Sequence, residues 1–173
     1  MYRLCLSFLI FVASTMGAFG DKLEITIKGE GANGIVVIDL FEEIAPLHVE
    51  RMLALASNGN YDGIVFHRVI EGFMAQTGDV QFGKLGDDIE NAGRGGSSMP
   101  DLVAEFSNIP FDRGVVGMAR AQNPNSANSQ FFIMFNKGYF LNGQYTVVGK
   151  VLEGIDVVDT IKLGLGPNGA VLG

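Results

Sequence analysis

Apolar and polar residues alternate over short runs along most of this chain, and two stretches carry a helical period instead. Lys22–Lys28 (KLEITIK) alternates strictly and predicts a strand. Residues 29–34 form a Gly-rich turn, and 35–41 (IVVIDLF) predict a second strand, giving a hairpin. Ala45-Pro46 opens a helix, because proline is tolerated in a first turn. Val49, Met52, Leu53 and Ala56 give that helix an apolar face, and Ser57-Asn58-Gly59 ends it. Residues 65–70 and 73–77 predict strands divided at Gly72, and 114–119, 130–135 and 146–151 predict three more. Ile155, Val158 and Ile161 mark a short second helix stopped by Gly164. About seven short strands with Gly-rich turns predict a closed barrel or a sandwich, with the helices as natural plugs for the ends of a barrel. Residues 78–100, rich in Gly and Asp and without period, predict a surface loop, and long ordered loops are often functional.

The first twenty residues belong to another class. Arg3 supplies a positive start, residues 4–13 are almost continuously apolar, and Ala18-Phe19-Gly20 offers small residues for a signal peptidase. The apolar run is short of the ~20 residues that a membrane span needs, so a secretory leader over 1–20 is expected rather than an uncleaved anchor. Cleavage after Gly20 would remove Cys5, the one cysteine of the 173 residues, and leave a mature domain over 21–173 without thiol or disulfide. Losing Arg3 moves the net charge from −7 to −8. An acidic chain with no Lys/Arg cluster argues against nucleic acid as a partner.

Strand alternation sorts the candidate chemistry. In Ser129-Gln130-Phe131-Phe132-Ile133-Met134 one face carries Phe131 and Ile133, which is plain core. The other carries Gln130, Phe132 and Met134, an amide beside bulky apolar groups. In FHRVIEGFMAQT (Phe66 to Thr77) Phe66, Arg68 and Ile70 share a face, and Met74 shares one with Gln76. Arginine is seldom buried without partners, because its charge cannot be shed. Two segments that each set apolar side chains beside a long polar group describe an apolar pocket with a few placed polar groups. His67 points away from Arg68 and reads as a core or turn residue; His48, near Glu50 on the first helix, reads as solvated. Two histidines without paired ligand spacing argue against a metal site. Ser126 and Ser129 lie in no GxSxG elbow. Gly93-Arg94-Gly95-Gly96 follows no strand and opens no helix, so it is a weak phosphate cradle.

FHRVI followed by GFMAQTGD (Gly72 to Asp79) resembles the signature of the cyclophilin-type peptidyl-prolyl cis-trans isomerases. MARA (Met118 to Ala121) with NSQFFI (Asn128 to Ile133), and FLNGQYTVVGKV (Phe140 to Val151), are similar to that family's second and third blocks. The likeness runs from about Leu23 to Lys162, and its details look bacterial. It implies an eight-stranded antiparallel barrel capped by two helices, with a substrate groove on the outer surface rather than in the lumen. It also implies that Arg68 is the catalytic arginine and that Phe73, Met74, Phe132 and Leu141 line a proline pocket. Gln76 and Gln130 would hydrogen-bond the substrate backbone, Ala119 and Arg120 would lend main-chain contacts, and Phe140 and Tyr145 would flank the pocket. Phe73 and Met74 share a site only if the chain twists at Gly72.

The resemblance implies a monomeric enzyme acting on proline-containing polypeptides without cofactor or metal. With the leader, this places it outside the cytoplasm, in the periplasm or secreted, assisting the folding of exported proteins. The alternatives are a peptide-binding chaperone using the same groove without turnover, and a carrier holding an apolar ligand in the barrel lumen. Phe140 and Tyr145 stand where well-known animal members carry tryptophan and histidine, so weak binding of cyclosporin-type inhibitors is expected; Arg120 stands where they carry asparagine. Family members also have a last strand that pairs with the first, whereas Pro167 to Gly173 reads as a turn-like tail with that strand apparently missing.

Overall fold

The computed structural model describes residues 20–87 and 89–171; apart from Gly20, the expected leader lies outside them. Strands β1 (Lys22–Lys28), β2 (Asn33–Leu40), β3 (Arg68–Ile70), β4 (Met74–Thr77), β5 (Val115–Met118), β6 (Phe131–Met134) and β7 (Val147–Glu153) form one antiparallel sheet. Its order is β1-β2-β7-β5-β6-β4-β3. Helices α1 (Pro46–Ser57) and α2 (Ile155–Asp159) complete a mostly β architecture curled into a half-barrel. Among the described residues the sheet ends at β1 and β3, and no strand joins them. Residues 65–67, expected within a strand, lie outside β3: Val65 donates to the Gly83 carbonyl at 2.8 Å instead of joining the ladder.

Period-two alternation gives the sheet two apolar faces. One, with Val36, Ile38, Val69, Ala75, Val116, Phe131 and Ile133, packs inward with Val49 and Met52 of α1 and Val158 of α2. The other, with Met74, Phe132, Met134, Val115 and Val147, packs outward against Phe111 and Leu141. Phe131 and Ile133 therefore fill the barrel interior, while Phe132 and Met134 belong to the outer layer. Two cross-strand rows show the division. Val69, Ala75, Ile133, Val116 and Gly149 lie opposite one another along an inner row, and Arg68, Gln76, Phe132, Gly117 and Val147 along an outer one. Gly117 is bare for a reason: a Cβ there would come within 2.5 Å of the Phe132 ring and 2.6 Å of Phe111.

Helix α1 is buried more widely than its apolar stripe implies, since His48, Arg51 and Leu55 are enclosed along with Val49 and Met52. His48 is not solvated and does not rely on Glu50. Its Nδ1 lies 2.5 Å from Glu105 Oε2, and the same carboxylate accepts from the Leu47 and His48 amides at 3.2 and 3.1 Å. Glu105 thus supplies the N-terminal cap that Ala45 cannot. Arg51 donates to the Pro100 carbonyl at 2.7 Å and the Asn128 carbonyl at 3.3 Å, fastening loop 96–101 to the helix.

The C-terminal tail does more than turn. Val69 donates to the Gly169 carbonyl at 2.7 Å, Gly164 to that of Val69 at 2.9 Å and Val171 to that of His67 at 3.0 Å, so residues 164–171 sheathe the outer edge of β3. The turn needs glycine at 169, where φ is +63° and a Cβ would meet Ile70 Cγ1 at 2.5 Å and the Val69 carbonyl oxygen at 2.6 Å.

His67 is buried as expected, and neither ring nitrogen has a hydrogen-bond partner among the described residues. Burial lowers its proton affinity. Asp79 opposes this from nearby, as do the Gln130 amide and Val65 backbone, which are close without reaching hydrogen-bond geometry, and Arg68 reinforces it. Because the folded pKa lies below the unfolded value, the unfolded chain binds more protons once pH falls below about 6.5. Stability tied to His67 is therefore present above that pH and lost as pH drops through it. Urea midpoints measured from pH 7.5 to 5.5 should fall for the wild type and fall less steeply for His67→Gln; equal slopes would sink this account.

Candidate active site

Arg68, the first residue of β3, faces outward directly opposite Gln76 of β4, which faces Phe132 of β6. The guanidinium is half-buried. Burial pulls it below the ordinary arginine range and neighbouring Tyr145 opposes the shift, but the group stays charged at neutral pH. Its Nη1 donates to Gln76 Oε1 at 3.2 Å and its Nε to the Asn168 main-chain carbonyl at 3.1 Å. Arginine can only donate, which fixes every amide beyond it. Gln76 must turn its oxygen to Arg68, so its Nε2 donates to Gln130 Oε1 at 2.9 Å, and Gln130 Nε2 donates to the Gly95 carbonyl at 2.7 Å. Both glutamines expected to hold substrate are thus linked to each other first, and each retains one amide hydrogen. Nη2 of Arg68 has no hydrogen-bond partner among the described residues.

Beside this polar row lies a cleft of about 250 Å³ on the outer face of the sheet. Its apolar lining is Met74, Phe132 and Leu141, all buried, with Phe73 and the exposed Phe140 at the side. Phe73 reaches the same cleft as Met74 because it precedes β4: Gly72 has φ +67°, and the Phe73 amide closes a turn onto the Ile70 carbonyl at 3.1 Å. The Phe73 and Phe140 rings lie 5.4 Å apart, and the Tyr145 ring stands edge-on to Phe132 at 5.9 Å. The Arg120 guanidinium covers the Tyr145 ring at 4.5 Å. The Ala119 amide is taken by the Gln130 carbonyl at 2.9 Å. Of the eleven residues expected at the site, ten line this cleft, and Gln130 reaches it through Gln76.

The cleft opens sideways into a second, polar one of about 520 Å³, sharing Gln76, Ala119 and Arg120 with it. One wall is the Gly93-Arg94-Gly95-Gly96 run. That run does cradle an anion, but an internal one. The fully buried Asp79 carboxylate accepts from the amides of Gly93 and Gly95 at 2.7 and 2.9 Å, and from those of Gln81 and Phe82 at 3.0 Å each. Asp79 shapes loop 78–96 and was given no role by sequence reasoning, although an acid between a strand and a Gly-rich segment, where unpaired amides collect, is a readable signal. The Asn168 carbonyl left no such signal, being backbone a hundred residues from Arg68. Among the described residues no cluster of His, Cys, Asp or Glu could hold a metal ion.

Residues 22–169 match the family model described as cyclophilin type peptidyl-prolyl cis-trans isomerase/CLD. A probable peptidyl-prolyl cis-trans isomerase of Brucella suis is 54% identical over 98% of this chain and 90% of its own. A chicken peptidyl-prolyl cis-trans isomerase-like 3 is 42% identical over 75% of this chain and 76% of its own. Among solved structures, a Cryptosporidium parvum cyclophilin type peptidyl-prolyl cis-trans isomerase, crystallised in the presence of the dipeptide Ala-Pro, superposes with a TM-score of 0.67. It is 29% identical and covers 79% of this chain and 85% of its own. A cyclophilin from Hirschia baltica gives a TM-score of 0.64 at 28% identity, over 78% of this chain and 65% of its own. With the fold, the outer cleft and these likenesses in agreement, the chain belongs to the cyclophilin-type peptidyl-prolyl cis-trans isomerases.

Proposed function

We propose that Arg68 is the group that catalyses X-Pro rotation in this enzyme, and that its clients are proteins exported with it. One observation carries the first half: a charged guanidinium with a free Nη2 is held at the edge of an apolar cleft by neutral acceptors. Amide resonance sets a rotation barrier of about 18–20 kcal/mol. As the bond twists, the nitrogen lone pair localises and becomes an acceptor. A donor aimed at that nitrogen gains strength only in the transition state, which is the condition for raising kcat. Met74, Phe132 and Leu141 would grip the proline ring so that one side of the bond is fixed while the other turns. The remaining amide hydrogens of Gln76 and Gln130 would hold the substrate backbone, as would the Arg120 main chain, since the Ala119 amide is already used. Taking relaxation from about 0.01 to about 10³ per second requires roughly 7 kcal/mol, within reach of a charge-assisted hydrogen bond combined with orientation.

The test is the cis-to-trans relaxation of an X-Pro peptide. Arg68→Ala should lower kcat/KM about 10²- to 10³-fold, the usual loss for one transition-state donor, in a variant that a cooperative urea transition shows to be folded. A fully active, folded Arg68→Ala would remove Arg68 from the mechanism. If a folded Arg68→Ala that had lost turnover still assisted folding, the groove would be acting as a chaperone.

Export rests on Arg3, the apolar run 4–13 and the small residues before Asp21. Expressed with its leader in a Gram-negative host, the protein should be recovered from the periplasm with Asp21 as its first residue by mass spectrometry. An intact Met1 in the cytoplasmic fraction would overturn that.

Phe140 lacks the indole N–H that tryptophan would offer at the cleft rim. Titration calorimetry should therefore find cyclosporin binding no tighter than about 1 μM, with Phe140→Trp improving it. Nanomolar affinity of the wild type would refute this.

A further inference from the structure

The protein carries a net charge of −7, yet the charged side chains lining the two clefts are three arginines, Arg68, Arg94 and Arg120, and one acid, Asp101. Among the described residues, none of these arginines has a carboxylate within ion-pair distance. Arg120 is fixed by main-chain carbonyls: Nε and Nη2 donate to Gln144 at 3.1 and 2.9 Å, and Nη1 to Ala121 and Gln122 at 2.8 and 3.2 Å. Of its five N–H groups one remains, on Nη2, and its charge is uncompensated. Arg94 is exposed and makes one long contact, 3.4 Å to Asn91 Oδ1. It is the lone side chain on a wall otherwise made of Gly93, Gly95 and Gly96, and it lines the second cleft. Asp101 is engaged with Asn128 Nδ2 at 2.9 Å. Asp79, behind the wall, directs its charge at four backbone amides rather than into the cleft.

We infer that the second cleft selects client segments carrying an Asp or Glu side chain close to the X-Pro bond. The inference rests on the proposed placement of the proline in the apolar cleft, since shared residues Gln76, Ala119 and Arg120 then bring the neighbouring part of an extended client into the polar one. At about 3.3–3.6 Å per residue, the side chain two positions from proline falls within reach of the second cleft. A carboxylate there meets a pre-set N–H of Arg120 and the unpaired head of Arg94, while a lysine meets two like charges. Each such exposed contact changes rates by a factor of about 1.5 to 5.

The experiment is exchange NMR of X-Pro peptides identical except for Glu, Gln or Lys two residues before proline, with a matching series two residues after. In one series the wild type should favour Glu over Lys by about fivefold in kcat/KM at low salt. The ratio should approach one at about 0.5 M NaCl, where the screening length is near 4 Å, and should shrink in Arg94→Gln. Turnover of the Gln peptides with Glu no better than Lys in both series would overturn the inference and leave the isomerase mechanism intact. A preference that survives both high salt and Arg94→Gln would also overturn it, by locating the selection elsewhere. Absence of turnover even of the Gln peptides would remove the placement on which it rests.

Discussion

A half-buried guanidinium cannot relieve its desolvation by losing a proton, so the surrounding chain has to supply acceptors in fixed directions. At Arg68 that requirement reaches well beyond one side chain. It sets the orientation of the Gln76 amide, through it that of Gln130, and ends on the Gly95 carbonyl in the loop. It also recruits the Asn168 carbonyl from a tail whose own amides and carbonyls are pinned to the edge of β3. Loop, sheet and tail thus meet at one cation, and a shift in any of them would move its free Nη2.

The sheet makes room for this arrangement because its interior is already full. Phe131, Ile133, Val116 and the two helices close the inner face, so the alternate residues of the same strands are available for chemistry outside. Gly117 lies in the outer row, between Phe132 and Val147, and Gly149 ends the inner one. At Gly117 the missing side chain leaves the Phe132 ring space to lie against Phe111, at a centroid separation of 5.7 Å, and to floor the cleft. A lumen packed in this way leaves little basis for a carrier with its ligand inside.

What the sequence made legible follows from its periods. Alternation assigned Phe131 and Ile133 to one layer and Phe132 and Met134 to the other, and set Ile70 beside Arg68 and Met74 beside Gln76, but it put Phe66 with Arg68, whereas Phe66 lies outside β3 and packs against the inner cluster. It misplaced residues 65–67, whose polar backbone partners lie in a loop remote in sequence. It could not place Phe73 in the cleft without the left-handed turn at Gly72. His48 looked like a solvated helix position because its partner, Glu105, comes from a segment without periodicity. The resemblance named residues that the fold gathers at one cleft, but neither Asp79, which holds loop backbone, nor the Asn168 carbonyl, which holds the Arg68 guanidinium.

The choice of acceptors around the arginines has a chemical consequence. Arg113, on the surface, is paired bidentately with Asp159 at 2.6 and 2.9 Å, and that pair cancels its charge while raising its proton affinity. Arg68 and Arg120, at the cleft, are held by amide and main-chain oxygens instead. In the proposed mechanism a carboxylate beside Arg68 would hold it more tightly but would compete with the uncharged prolyl nitrogen for the same donor. Neutral oxygens fix direction and leave the full charge in place. In a partly dehydrated cleft that charge acts through a lower effective dielectric than water provides, so under the proposed mechanism the burial that weakens Arg68's hold on its proton would also strengthen its attraction for a lone pair that appears only when the peptide bond is twisted.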